Sequence, residues 1–156
     1  MRVWRICPER HVATAFSGEG ALRFGARWNP VGVPMVYTSL SLSLAVVEIF
    51  VHLELEVEPD DLWAICAELP IDESKAERVR IADLPLNWRE VNGPKLRAMG
   101  SDWALSRRSV ALLVPSVAVE GEWNALINPD HPDAKKIEVV SAKPFRLDPR
   151  MFKRVQ

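Results

Sequence analysis

Gly18-Glu19-Gly20-Ala21-Leu22-Arg23-Phe24-Gly25-Ala26-Arg27-Trp28-Asn29-Pro30 runs into Val33-Pro34-Met35-Val36-Tyr37-Thr38 and then into Ser41 to Leu55, a succession that reads as loop, short strand and helix. The first piece packs three glycines and two arginines around two aromatics. A loop of that make lets its main chain approach a phosphate, and an arginine adds a planar fork of donors. It is not a standard nucleotide loop: Gly18, Gly20 and Gly25 miss the G-x-G-x-x-G spacing, and no lysine follows as in a P-loop. The strand carries Tyr37, the only tyrosine of the chain. Ahead of the helix, Ser39 and Ser41 offer N-cap oxygens, and no glycine or proline intervenes before Pro59, so a firm helix is expected.

On either side of this stretch, strands and helices are mixed. Val3 to Cys7 reads as a strand ended by Pro8, and the residues from there to Val33 read mostly as loop. Leu62 to Leu69 is a second or third strand stopped by Pro70, and the charged stretch Asp72 to Arg80 reads as a solvated excursion. A helix is expected from Pro94 to Ser106, because proline in a first turn forfeits no hydrogen bond. Ser109 to Val114 reads as a buried strand. Pro115 to Pro132 reads as loop, broken by Gly121, Pro129 and Pro132, and Lys136 to Ser141 and Pro144 to Leu147 as closing strands. Without steady βα alternation, the expected class is α+β, with a mainly antiparallel or split sheet and flanking helices, in one domain over residues 1–156.

Composition narrows the function classes. At 156 residues the chain can bury a core without disulfides or metal. Twenty basic against twenty-one acidic side chains leave a net charge of −1, so nothing draws it generally to nucleic acid or an anionic membrane. Cys7 and Cys66 are far apart and suit free thiols in a reducing compartment. Met1 to Ile6 has no long apolar core of a signal peptide, and the expected location is the cytoplasm. The uncharged run Trp28 to Val47 is broken by prolines and a glycine, so it divides into loop, strand and helix rather than spanning a membrane. Three histidines and two cysteines give no zinc spacing.

The helix after Tyr37 carries Glu48 in its interior. Leu42, Val46, Ile49, Phe50 and Leu53 take one side of it, and Leu44, Val47, Val51 and Leu55 much of the other. A helix apolar on both sides is expected to be buried. Ser41, Glu48 and His52 form the remaining stripe, so Glu48 either reaches solvent, as an i,i+4 pair with His52, or lines a cleft. Arg5 and Arg27 are the cationic candidates for a diphosphate, against the alternatives of surface ion pairs or stacking on Trp4 and Trp28. Tyr37 is otherwise a core anchor. Ser116 and Asn124 are candidates for orienting a polar ligand, or else plain turn residues. Ser116 lacks a G-x-S-x-G elbow, so a serine-hydrolase triad has little support.

In order and spacing, Trp4-Arg5, the segment Gly18 to Pro30, Val36-Tyr37, Ala45-Val46-Val47-Glu48, Pro115-Ser116 and Asn124-Ala125-Leu126-Ile127-Asn128-Pro129-Asp130-His131-Pro132 resemble the RES domain. That domain is the toxin half of bacterial RES–Xre type toxin–antitoxin pairs. The family's Gly-Gly-Arg-Trp-Asn stands here as Gly25-Ala26-Arg27-Trp28-Asn29. The resemblance implies an ADP-ribosyltransferase-like fold and a type II toxin that cleaves the nicotinamide–ribose bond of NAD. NAD is then a substrate, with no further cofactor and no metal. Water or phosphate would be the acceptor, and a mono-ADP-ribosyltransferase acting on a cellular protein is the alternative. The resemblance further implies that Glu48, Arg27 and Tyr37 are catalytic and that Arg5, Arg27, Tyr37, Ser116 and Asn124 hold NAD. Arg5 and Arg27 fall on the diphosphate, Tyr37 on nicotinamide or ribose. A cognate Xre-like DNA-binding antitoxin, forming a hetero-oligomer over the active site, is the implied partner. Trp63, Trp88 and Trp103 belong either to such a surface or to the core. A non-catalytic nucleotide- or partner-binding module remains the alternative from another class. A nuclease has least support, for want of basic charge or a metal cluster.

Overall fold

The computed structural model describes residues 1–53, 59–90 and 93–152. Seven strands, β1 (Arg2–Pro8), β2 (Val36–Ser39), β3 (Leu62–Glu68), β4 (Glu77–Arg78), β5 (Ala111–Pro115), β6 (Trp123–Ile127) and β7 (Glu138–Pro144), form one sheet in the order β4-β5-β6-β2-β1-β3-β7. Every pairing is antiparallel except β4 with β5. Among the described residues three α-helices accompany it: α1 (Glu19–Phe24), α2 (Leu42–Phe50) and α3 (Pro94–Ser106). The class is α+β, as the mixed order of elements implied. The expected helix from Pro94 to Ser106 forms over those residues, with Pro94 in its first turn.

The sheet is nearly divided. β1 and β3 pair along seven residues, from Arg2 opposite Glu68 to Pro8 opposite Leu62, whereas β1 and β2 meet at one pair, Trp4 opposite Ser39. Continuing that antiparallel register would set Ile6 opposite Tyr37; instead the strands part there. One half of the sheet is thus β4-β5-β6-β2 and the other β1-β3-β7, and the gap between them holds the site.

Alternation along β5 and β6 explains their burial on both faces. Leu112, Val114 and Leu126 join Trp28, Met35, Leu96 and Trp103 in one core cluster. Ala111, Leu113, Ala125 and Ile127 join Val3, Val36 and Ala67 in another. Buried on both sides, such strands read as continuous apolar runs. Trp88 and Trp103 are core residues, Trp103 donating Nε1–H to Ser109 Oγ at 2.8 Å, while Trp63 is half-buried.

Several expectations are corrected. β6 lies inside the stretch read as loop, since its five residues sit between Gly121 and Pro129, and those breakers mark its two ends. The charged excursion contains the two-residue edge strand β4. Pro144 to Leu147 forms no strand; β7 ends at Pro144. The glycine-bearing loop contains α1, with Gly18 at its N-cap (φ 72°) and Gly25 at its C-cap (φ 66°). Two of the three glycines therefore serve helix ends. α2 is shorter than expected, and positions 54–55 of that reading lie outside the described residues. Both of its sides are covered within the helix, Leu44 being 2% exposed and Val47 half-buried on the side away from Val46. Leu42, Val46, Ile49, Phe50 and Leu53 pack on Ile6, Leu62, Ala64 and Leu147, while Val51 is 57% exposed. Ser41 caps α2, its Oγ accepting from Leu44 N at 3.1 Å. Among the described residues no helix is long and apolar enough to cross a membrane.

A Cβ at Gly18 would lie 2.8 Å from Met35 N, in a left-handed backbone, whereas one at Gly20 meets nothing within 4 Å. Gly18→Ala should cost at least about 1–2 kcal/mol and Gly20→Ala should gain about 0.4–1 kcal/mol. Urea unfolding of the two variants checks the contrast.

Candidate active site

A cleft of about 530 Å³ opens where β1 and β2 part, lined by Trp4, Arg5 and Ile6 from β1 and Tyr37, Thr38 and Ser39 from β2. Its volume suits a ligand of nucleotide size. Ala26, Arg27 and Trp28 wall it from the segment after α1, Glu48 and His52 from α2 and the turn beyond, and Asn124 from β6. The structure gathers five of the six residues singled out in the sequence into this lining. The sixth, Ser116, is 1% exposed and stands behind it.

Glu48 is the centre. Its Oε1 accepts from Ser116 Oγ at 2.7 Å and from Asn124 Nδ2 at 2.5 Å, while Oε2 has no partner among the described residues. Two neutral donors fix the carboxylate without cancelling its charge. His52 is no ion-pair partner: its Nδ1 bonds the main-chain oxygen of Glu48 at 2.7 Å. Of the two sequence alternatives for Glu48, the cleft is the one formed.

The donors are themselves held. Asn124 Oδ1 accepts from Ser39 Oγ at 2.7 Å, which sets the amide so that its NH2 meets Glu48. Ser39 is thus a site residue that sequence reading took for a helix cap; only its place at the end of a strand hints otherwise. Ser116 Oγ also accepts from Val119 N at 3.0 Å, and Ser116 N donates to Glu122 O at 2.9 Å. Ser116 is therefore a turn residue as well as a support for Glu48, and its hydroxyl proton is committed to the carboxylate.

The two arginines are mounted differently. Arg5 donates from Nη1 to Tyr37 O at 2.8 Å, bridging the parted strands. Its Nε is the one buried side-chain nitrogen or oxygen without a hydrogen-bond partner among the described residues. Burial pulls this guanidinium below its ordinary value, against the opposing influence of Cys7, yet an arginine starts so far above neutrality that it keeps its charge. Arg27 donates from Nη1 to Trp88 O at 3.2 Å and Glu90 O at 2.8 Å. Two guanidiniums against one carboxylate leave the lining positive, as an anionic ligand requires.

Tyr37 spends its hydroxyl on structure. It donates to Asn29 Oδ1 at 2.8 Å and accepts from Trp28 N at 3.0 Å. Asn29, fully buried, donates Nδ2 to the carbonyls of Ala21, Pro30 and Val33. Burial pushes the Tyr37 phenol well above its ordinary value, outweighing the Trp28 bond and the charges of Arg27 and Arg97. The hydroxyl is thus a proton-holding clamp on the Arg27 segment, and the ring remains to face a ligand.

Residues 2–148 match the RES domain model. The chain belongs to the RES-domain family. Among similar RES proteins, one from Sphingobium sp. named "Prs ADP-ribosylating toxin" is 42% identical over 156 residues, covering 97% of this chain and 96% of that one. A "Toxin Res" of Photorhabdus laumondii is 36% identical over 98% of each chain. The solved M. tuberculosis MbcT–MbcA toxin–antitoxin complex contains a chain that superposes on this RES domain with a TM-score of 0.71 at 16% identity, over 97% of this chain and 86% of that one. At that identity the likeness is one of fold.

Tyr37→Phe keeps the ring and strands the Trp28 amide and the Asn29 carbonyl oxygen. The expected loss is about 1–3 kcal/mol, measurable by urea unfolding. Because the folded protein holds the phenolic proton more tightly than the unfolded chain, that contribution is present below pH about 10 and is lost as pH rises through the higher folded value.

Proposed function

We propose that this RES domain is an NAD-consuming toxin that cleaves the bond between nicotinamide and ribose and passes the ADP-ribosyl group to water or phosphate. The observation that carries this reading is the Glu48 carboxylate, held by Ser116 and Asn124 through one oxygen, in a cleft that also presents Arg5 and Arg27. The N1–C1′ bond breaks with its electron pair going to nicotinamide, which loses its pyridinium charge. Positive charge builds on C1′ and the ring oxygen. A fixed carboxylate beside them stabilises that developing charge and needs no reorganisation to do so. The acceptor oxygen then forms the bond to C1′ and releases its proton to solvent.

Arg27 and Arg5 would take the diphosphate with charge-assisted hydrogen bonds and so hold NAD in the cleft. The place of both guanidiniums in the lining supports this, since a charged donor facing a cleft favours an anionic ligand. Tyr37 would offer its ring to nicotinamide or ribose. Asn124 lies near enough to Glu48 to bond a ribose hydroxyl in addition, whereas Ser116 acts through Glu48.

Toxin status is supported by the names of the relatives. The solved neighbour's title as a toxin–antitoxin complex supports a cognate antitoxin, for which we take an Xre-like DNA-binding protein that covers the cleft. The expected compartment is the cytoplasm, where NAD is abundant. A second reading keeps the chemistry and makes a cellular protein the acceptor; it is favoured by the 42% identical relative named for ADP-ribosylating Prs.

Purified protein freed of any partner should release nicotinamide from NAD. Glu48→Gln, which keeps shape and removes charge, should lower kcat by roughly 100-fold or more, and wild-type rates from it would refute the role of Glu48. Arg27→Ala should raise KM for NAD by about tenfold or more, the loss of charge-assisted hydrogen bonds. Stimulation by phosphate would name that acceptor, and label from NAD appearing on a protein band would decide for the second reading.

A further inference from the structure

Gly100 sits in the middle of α3 and is buried. A Cβ built there would stand 1.9 Å from the Trp28 carbonyl oxygen, 2.9 Å from its carbonyl carbon and 3.0 Å from its Cβ. Carbon atoms in contact are best about 3.5–4.0 Å apart, and a main-chain oxygen cannot rotate out of the way. The glycine is therefore required for space. A glycine weakens a helix interior, and here the close approach of another main chain is what it permits.

One turn earlier on the same helix, Arg97 donates from Nε to Ala26 O at 3.3 Å. α3 thus touches the main chain at residue 26 and at residue 28, on either side of Arg27. From the other side the Tyr37 hydroxyl holds the Trp28 amide at 3.0 Å. The three residues that line the cleft here are gripped by a helix that does not itself line it.

We infer that α3 is the positioning element for Arg27: Gly100 and Arg97 set the height of the 26–28 main chain and so aim the Arg27 guanidinium at the diphosphate of NAD. The inference rests on the NAD reading above for its ligand, and on the packing alone for the placement of the segment. Gly100 and Arg97 touch no substrate, and both act through Arg27. If Arg27 grips a part of the ligand that does not react, its misplacement weakens binding more than chemistry, so KM should move and kcat should not.

The test uses Arg97→Ala and Gly100→Ala, each alone and combined with Arg27→Ala, in nicotinamide-release kinetics and in amide exchange at Trp28. Arg97→Ala is expected to raise KM for NAD about 3- to 10-fold with kcat within about twofold, and on the Arg27→Ala background to add less than about twofold, as residues acting through one another do. Gly100→Ala should act in the same direction and more strongly; if it does not fold, Arg97→Ala decides alone. An unchanged KM, or an Arg97→Ala effect that multiplies in full on the Arg27→Ala background, overturns the inference. Wild-type protein that neither releases nicotinamide nor binds NAD overturns the ligand reading instead. Exchange at the Trp28 amide then judges the placement: a clear acceleration in Arg97→Ala supports the role of α3, and an unchanged rate removes it.

Discussion

Glu48 holds the two halves of the sheet together. α2 packs its apolar side on Ile6, Leu62 and Ala64 of the β1-β3 half, and the carboxylate it projects accepts hydrogen bonds from Ser116 and Asn124 at the ends of β5 and β6 in the other half. Between those halves the backbone ladder supplies one residue pair. Arg5 adds a second side-chain tie by donating to the Tyr37 carbonyl across the gap. A continuous ladder would have closed the space now occupied by the cleft. Replacing main-chain hydrogen bonds by two side-chain bridges keeps the sheet joined and leaves an opening whose walls are already charged.

That substitution explains the chemistry of the site. A half-buried carboxylate and a buried guanidinium nitrogen both lose hydration, and within the cleft each is only partly satisfied. Glu48 has one oxygen fully engaged and the other without a partner among the described residues. Arg5 has Nη1 engaged and Nε orphaned. The second oxygen of Glu48 is what a developing cation would meet, and the Arg5 guanidinium in the lining is what a diphosphate would meet. Arg27 differs, because its guanidinium already rests on the Trp88 and Glu90 carbonyls. A phosphate oxygen would have to match or join those neutral acceptors, and its negative charge favours it.

Much of this was legible before the structure, for physical reasons that vary by element. β1, β3 and β5 are short apolar runs stopped by proline or charge, and α3 announces itself by Pro94. α1 was hidden because Gly18 and Gly25 look like loop residues, although in left-handed conformations they are helix ends. β6 was hidden because its five residues sit between turn signals and include Asn124 near the start, a residue type depleted in strands. Glu48 stood out as a carboxylate in the interior of an apolar helix, but its cleft position required the fold, since a helical wheel cannot say which stripe meets β5 and β6. Arg5, Arg27, Ser116 and Asn124 gained roles only from the family resemblance. Ser39, Arg97 and Gly100 gave almost no sign: a serine before a helix reads as a cap, an arginine on a helix as a solvated face, and a glycine within one as a weakness.

Those three silent residues share a property. Each acts on the main chain or on another side chain, so none needs a chemical type that advertises a reaction. Ser39 fixes which end of the Asn124 amide meets Glu48, Arg97 holds a carbonyl, and Gly100 contributes the absence of a side chain. The carboxylate and guanidiniums supply charge, but charge is useful only where its direction is set. In a site built on a parted sheet, direction cannot come from the ladder. It comes from α3 and the Tyr37–Asn29 clamp on one side of the cleft and from the Ser39–Asn124–Glu48 chain on the other.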